Sequence, residues 1–228
     1  MLVTEDTNPT TPASWPSAAA EAARYALLRR LAPSIRHHLV VNLQPIGMVY
    51  EVLDRRLRAP EPDIAAVHDS AKKINSFARA ALESCTDVVG WLSPDDKAAI
   101  AVHDAVRECA GLIASSLSFR GYTLRNEVGA MEGEIRRSCA RFLLCATLIH
   151  ATDEIAPPAE LLLSAEPGGT GAQLTLGVRR MQGEEGFVQE PAYRPLRWDD
   201  VRALAQAEGA EATRDADGTI RLVLPWAD

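Results

Sequence analysis

Between Leu28 and Leu57 apolar residues return at every third or fourth position: Leu28, Leu31, Ile35, Leu39, Leu43, Ile46, Val49, Leu53 and Leu57. That spacing is the period of a helix with one apolar side, and it predicts one long amphipathic helix from about Glu21 to Leu57. Pro33 and Pro45 each remove an internal hydrogen bond, so bends are expected there. Ala59-Pro60-Glu61-Pro62-Asp63 ends the helix and offers Asp63 as the N-cap of the next. A second stripe, through Ile64, Val67, Ala71, Ile74, Phe77, Ala78, Ala81, Cys85, Val88 and Trp91, runs to about Leu92. Two long helices joined by so short a turn lie antiparallel. One hairpin cannot cover all its apolar surface, and pairing with a copy as a four-helix bundle is the economical remedy, so a homodimer is expected.

Beyond Leu92 the pattern changes. Ser93-Pro94-Asp95-Asp96 reads as a helix cap with following acids. Helices are predicted at Ile100 to Leu117, Glu132 to Ala151 and Arg197 to Glu208, and strands at Tyr122 to Glu127, Glu160 to Ala165, Gln173 to Val178 and Thr219 to Leu224. The turns Pro167-Gly168-Gly169-Thr170-Gly171 and Asp217-Gly218 separate strand segments. The expected fold class is α+β, a helical hairpin followed by one sheet covered by helices. Residues 1–20, rich in Thr, Pro, Ser and Ala, are expected to be a flexible tail, 21–92 the hairpin, and 93–228 the mixed domain.

Hydrophobic side chains make up 47% of the chain and charged ones 24%, enough apolar mass for a core. No apolar run is long enough for a membrane span and no signal peptide opens the chain, so a soluble cytosolic protein is expected. The net charge of -7 argues against a nucleic-acid partner. Cys85, Cys109, Cys139 and Cys145 have no C-x-x-C spacing and read as buried thiols, with no metal site signalled.

His68 and His103 stand alone on helical stretches and carry no chemistry. The glycine-rich turn lacks the Lys-Ser/Thr and helix opening of a phosphate cradle, and no hydrolase elbow, zinc helix or dinucleotide fingerprint occurs. Arg36-His37-His38 is the unusual feature. A histidine pair is a poor choice for a buried stripe, so at least one ring faces solvent. An imidazole with an ordinary pKa near 6.5 is a competent nucleophile, and on a rigid helix it can meet a phosphoryl donor in line.

The segment Leu31 to Leu57 resembles the H-box helix of sensor histidine kinases: His37 has apolar residues two before (Ile35), two after (Leu39), six after (Leu43) and nine after (Ile46). His37-His38-Leu39-Val40-Val41-Asn42-Leu43-Gln44 is also similar to the H-x-x-x-N-N-L-Q form of some subfamilies. Two positions depart from the family: His38 replaces the acid that normally follows, and the proline is displaced to Pro45. His38 stays a rival acceptor.

The order of elements after Ser93 is similar to a kinase ATP-binding domain, with Phe142 to Ile155 resembling its N-box helix. The resemblance places His150 where that box has its magnesium-binding Asn. After Val178, Arg179-Arg180-Met181-Gln182-Gly183-Glu184-Glu185-Gly186 replaces the adenine-reading D-x-G-x-G, and two acids, Glu184 and Glu185, would repel a triphosphate. The same resemblance implies a lid cut to little more than Phe187 to Leu196. No cofactor is therefore expected.

A histidine-bearing dimeric hairpin beside such a domain resembles dimeric histidine phosphotransferases. That resemblance implies relay of phosphate at His37 with response-regulator receiver domains, without ATP-dependent autophosphorylation, magnesium belonging to the receiver. Residues 21–92 carry ten Lys/Arg against eight Asp/Glu, and 93–228 fourteen against twenty-one, so the hairpin is the less acidic face for a carboxylate-lined partner. Arg36 and Arg79 are candidates for steering it. A pseudokinase scaffold without phosphate transfer and a divergent active kinase are the alternatives.

Overall fold

The computed structural model describes residues 16–95, 97–182 and 193–227. Helix α1 (Ala18–Leu57) begins three residues earlier than the apolar stripe suggests, because the Ser17 side chain accepts the Ala20 N–H at 3.2 Å and caps the first turn. It runs through Pro33 and Pro45 as a single helix. Helix α2 (Ile64–Leu92) is capped as expected by Asp63, whose carboxylate accepts the Ala66 N–H at 3.1 Å.

Two polar straps set the antiparallel register of α1 and α2. Asn42 Nδ2 donates to Ser84 Oγ at 2.8 Å, and Arg56 Nη1 donates to Ser70 Oγ at 3.0 Å and to the Ala66 carbonyl at 2.8 Å. Ser70 and Ser84 are both buried. The seam departs from the apolar stripes at several positions: Leu57, Ile64 and Cys85 are exposed, and where Leu43 is 49% exposed the half-buried Asn42 faces α2 instead.

The rest of the chain is a mixed unit of β1 (Ala99–Ala101), α3 (Val102–Phe119), β2 (Tyr122–Asn126), β3 (Glu134–Arg136), α4 (Arg137–Glu154), β4 (Ala159–Pro167), β5 (Gly171–Arg180), α5 (Trp198–Ala207), β6 (Glu211–Arg214) and β7 (Ile220–Pro225). Five strands form one sheet in the order β2-β4-β5-β7-β6, with β2 and β4 parallel and the other neighbours antiparallel. Strands β1 and β3 make a separate two-stranded ribbon. Helix α4 is buried from Ser138 through Thr152, as the central helix of a core must be. Its Leu144 and Leu148 lie over Leu163, Leu174, Leu176 and Leu222 of the sheet.

Several sequence expectations shift here. Ser93 closes α2 rather than opening α3, which starts at Val102 after β1 and has no side-chain cap. Within the helix expected from Glu132 to Ala151, Glu134–Arg136 form β3 instead, so α4 starts at Arg137. Cys85 is exposed, while Cys109, Cys139 and Cys145 are buried.

The start of α1 packs into the mixed unit. Ala20, Ala23, Ala26, Leu27 and Leu31 are fully buried, with α1 lying against α3, α4 and α5. Burial of Leu27 and Leu31 contributes about 1.5–3 kcal/mol each.

Candidate functional site

Successive residues of a helix step about 100° around its axis. Ile35, Leu39, Asn42 and Ile46 are half-buried on the side of α1 that meets α2. His37 lies two residues from both Ile35 and Leu39, which turns it to the opposite side of the helix. His38 lies one turn above Asn42 on the same face, and its carbonyl accepts the Asn42 amide at 3.3 Å. Both histidines are exposed, and neither ring has a hydrogen bond or ion pair among the described residues.

The two histidines face different surroundings. His38 borders a cavity of about 290 Å³ between α1, α2, α3 and α4, with Leu39, Trp91, Leu112 and Arg141 among its walls. Arg141 is buried and its charge is fully engaged. It bonds Glu108 through Nε and Asp87 at 3.2 Å, and lies 5.3 Å over the Trp91 ring. Arg137 joins the same cluster through Glu108 at 2.8 Å. His37 faces away from α2 toward solvent, free of the cavity.

The two candidate arginines are not brought together. Arg36 is exposed beside His37. The register set by Asn42 and Ser84 puts Arg79 level with Gly47, roughly 15 Å farther along the hairpin at 1.5 Å per residue. Arg36 is the sequence neighbour of His37, whereas Arg79 is remote from both histidines.

The position that the resemblance equates with a magnesium-binding Asn does not fit that task. His150 is 1% exposed. Its Nδ1 lies 2.9 Å from the Leu196 carbonyl, its ring is 5.8 Å from that of Trp198, and its Nε2 is 3.5 Å from Glu154. The ring is built into the contact between α4 and α5. Glu184, Glu185 and the lid as far as Ala192 lie outside the described residues. Among the described residues no cluster of His, Cys, Asp or Glu is placed to hold a metal ion, and no helix is long and apolar enough to cross a membrane.

The buried thiols are poor nucleophiles. Burial, with Glu208 nearby, pushes Cys139 up to about 12, against a smaller opposing effect of Arg136. A hydrogen bond with Cys109 and burial push Cys145 well up too. An exposed, unpartnered imidazole on a rigid helix is the better nucleophile.

Sequence reasoning named Asn42 only as a motif position and missed its bond to Ser84 across the seam, as well as the Arg141 cluster. The available signals were a polar residue next to a seam position and an arginine beside the apolar run Phe142 to Cys145.

No family model matches the chain. No curated protein matches it either. Among solved structures it is similar to a histidine kinase from Burkholderia phymatum STM815, at 17% identity over 87% of this chain and 99% of that one, with a TM-score of 0.47. A bacterial phosphotransferase is similar at 17% identity over 92% and 98%, TM-score 0.40. The histidine kinase ThkA, in complex with the response regulator protein TrrA, is similar at 12% identity over 91% and 64%, TM-score 0.44. At such identities and scores these likenesses assign no chemistry to the residues described above.

Proposed function

We propose that the chain is a two-component phosphorelay protein, a cytoplasmic histidine phosphotransferase that accepts and donates a phosphoryl group at His37 with receiver domains. The observation that carries this reading is the placement of His37: exposed, unpartnered, on the outward side of a long helix, with Arg36 beside it. A neutral ring nitrogen attacks the phosphorus of an aspartyl phosphate. The N–P bond forms as the P–O bond to the aspartate breaks, and the carboxylate leaves with the electron pair. The reverse step delivers the group to another receiver. The guanidinium of Arg36 offsets the charge of the transferred group.

The mixed unit has no ATP-dependent role in this reading, because His150 is locked to Leu196 and Trp198. The hairpin works as a homodimer. Ile64, Leu82, Val89 and Leu92 of α2 are 70%, 68%, 59% and 69% exposed in the single chain, and the last three, with Cys85, follow a three-four spacing along one side. A stripe of that kind on a soluble hairpin is covered by a second copy in a four-helix bundle.

The test exposes the protein to a receiver domain charged with labelled acetyl phosphate and, separately, to labelled ATP, using wild type, His37→Ala and His38→Ala. Label from the receiver alone, lost in His37→Ala, supports the relay. Label from neither source supports a scaffold, and label from ATP alone an active kinase.

A further inference from the structure

Helix α1 enters the mixed unit along a strip of alanines and leucines, and a charged side chain fastens it there. Arg30 grips Asp153 of α4 through both terminal guanidinium nitrogens at 2.6 Å, and each side chain is 5% exposed. The same guanidinium reaches the Arg194 carbonyl at 3.2 Å, while Asp153 accepts the Leu196 N–H at 2.9 Å. Nearer the start of α1, Arg24 pairs with the buried Glu208 at 2.6 Å and lies 5.0 Å over the Phe142 ring.

Helix α2 is fastened the other way round, by an arginine that comes from the mixed unit. Arg141 of α4, itself buried, bonds Asp87 at 3.2 Å and lies 5.3 Å over the ring of Trp91. Trp91 is buried and meets the Phe142 ring edge-on at 6.0 Å. Gly90 leaves room for this arginine: a Cβ there would stand 2.8 Å from Arg141 Nη1. Both helices of the hairpin are thus tied to α4, each by its own buried guanidinium.

A buried fork between planar groups is directional, so sliding along the interface would leave a charge facing a surface that cannot pair it. Complete separation would return Leu27, Leu31 and Trp91 to water, against the hydrophobic effect. Nor can one helix leave alone. The straps from Asn42 and Arg56 bind α1 to α2, so both attachments must fail together.

We infer that the mixed unit is permanently seated on the base of the hairpin, with Arg30 and Arg141 as the residues that hold it, and that the two parts form one rigid body. The seat stands whether or not His37 carries phosphate. Its consequence concerns the mixed unit as a donor. A domain that hands a group to a histidine must bring it within about 3–3.5 Å of the ring. His37 lies about two turns beyond Arg30, roughly 10 Å along α1 and on the side turned away from α2, and a unit clamped at Asp153 cannot travel there. The ring stays open to partners from solution.

The test reads the spread of distances between spin labels at Glu51→Cys on α1 and Ser115→Cys on α3, both exposed positions. The full chain is used in a Cys85→Ser background, diluted with unlabelled protein so that only distances within one chain count. The expected result is one narrow distance that magnesium and ATP leave unchanged. A broad or two-peaked distribution, or one that shifts on adding ATP, overturns the fixed seat. Two variants test the residues that hold it. Arg30→Ala leaves Asp153 without its fork, and Gly90→Leu drives a side chain into Arg141. Each is expected to add a second, more distant population while circular dichroism keeps its helical signal, and the milder Arg30→Lys to add a smaller one. A distribution as narrow as that of the parent chain in all three overturns the roles of Arg30 and Arg141. No phosphate transfer enters the measurement, so its outcome is separate from that of the relay reading.

Discussion

Asn42 Nδ2 lies 2.8 Å from Ser84 Oγ, and the same nitrogen donates to the His38 carbonyl at 3.3 Å. One side chain thus ties the register of the hairpin to the turn that carries both histidines. Ser84 Oγ in turn donates to the Ala80 carbonyl at 2.9 Å, so the strap is anchored in the backbone of α2. A polar contact at this position opposes axial slippage, which a purely apolar seam resists less well.

The strap has a measurable energy. Ser84→Ala removes the closer of the half-buried Asn42 amide's two acceptors, leaving only the His38 carbonyl, and is expected to lower stability by about 1 kcal/mol in urea unfolding. Adding Asn42→Leu recovers part of that loss, so a double-mutant cycle gives a coupling of about 1 kcal/mol. Strict additivity of the two substitutions would deny the strap any role in holding the hairpin.

The apolar stripe of α2 predicts the state of association. Leu82→Glu combined with Val89→Glu places two charges on it and is expected to convert a dimer to a monomer in sedimentation equilibrium. Cys85, between them, should become more reactive toward iodoacetamide in the variant than in wild type. Cys109, Cys139 and Cys145 stay unreactive in both, since all are buried and Cys139 is pushed up to about 12. A wild type that is monomeric at micromolar concentration contradicts the bundle.

Acid sensitivity follows from the start of α5. Burial raises the Asp200 pKa, but bonds from Arg194 at 2.7 and 2.8 Å and from the Arg197 N–H at 2.8 Å outweigh it, and the carboxyl sits below its ordinary value. A depressed carboxylate contributes stability that is present above its unfolded pKa, near 3.9, and is lost as pH falls through the lower folded value. Asp200→Asn is therefore expected to lower stability by about 1–2 kcal/mol at pH 7. Thermal melts of the two proteins should converge as the pH is taken below 4. A constant difference between them down to pH 2 would contradict the assignment.

The hairpin was legible because its period persists over many turns, and so were β4, β5 and β7, where alternation meets a clear turn. Strands β1, β3 and β6 have three, three and four residues, too few for alternation to register, so β1 and β3 were absorbed into neighbouring helices. The burial of Ala20, Ala23 and Ala26 was hidden because alanine adds little to a hydropathy stripe, although its small size permits close approach to the mixed unit. Leu43 and Asn42 were exchanged for a related reason: hydropathy assigns leucine to the seam, whereas a hydrogen bond to a serine forty-two residues away draws asparagine there. The histidines were legible because Arg36-His37-His38 interrupts an apolar pattern. The pairing of Arg30 with Asp153 spans 123 positions and has no local signature.

The central claim is that His37 carries the phosphoryl group, and the most direct measurement locates that group on the intact wild-type chain. After brief exposure to a phosphorylated receiver domain at neutral pH, tryptic cleavage at Arg36 and Arg55 isolates a peptide containing both histidines, and fragmentation tells them apart. The account predicts phosphate on the first ring, His37. Phosphate on His38, on another residue, or on none would contradict it.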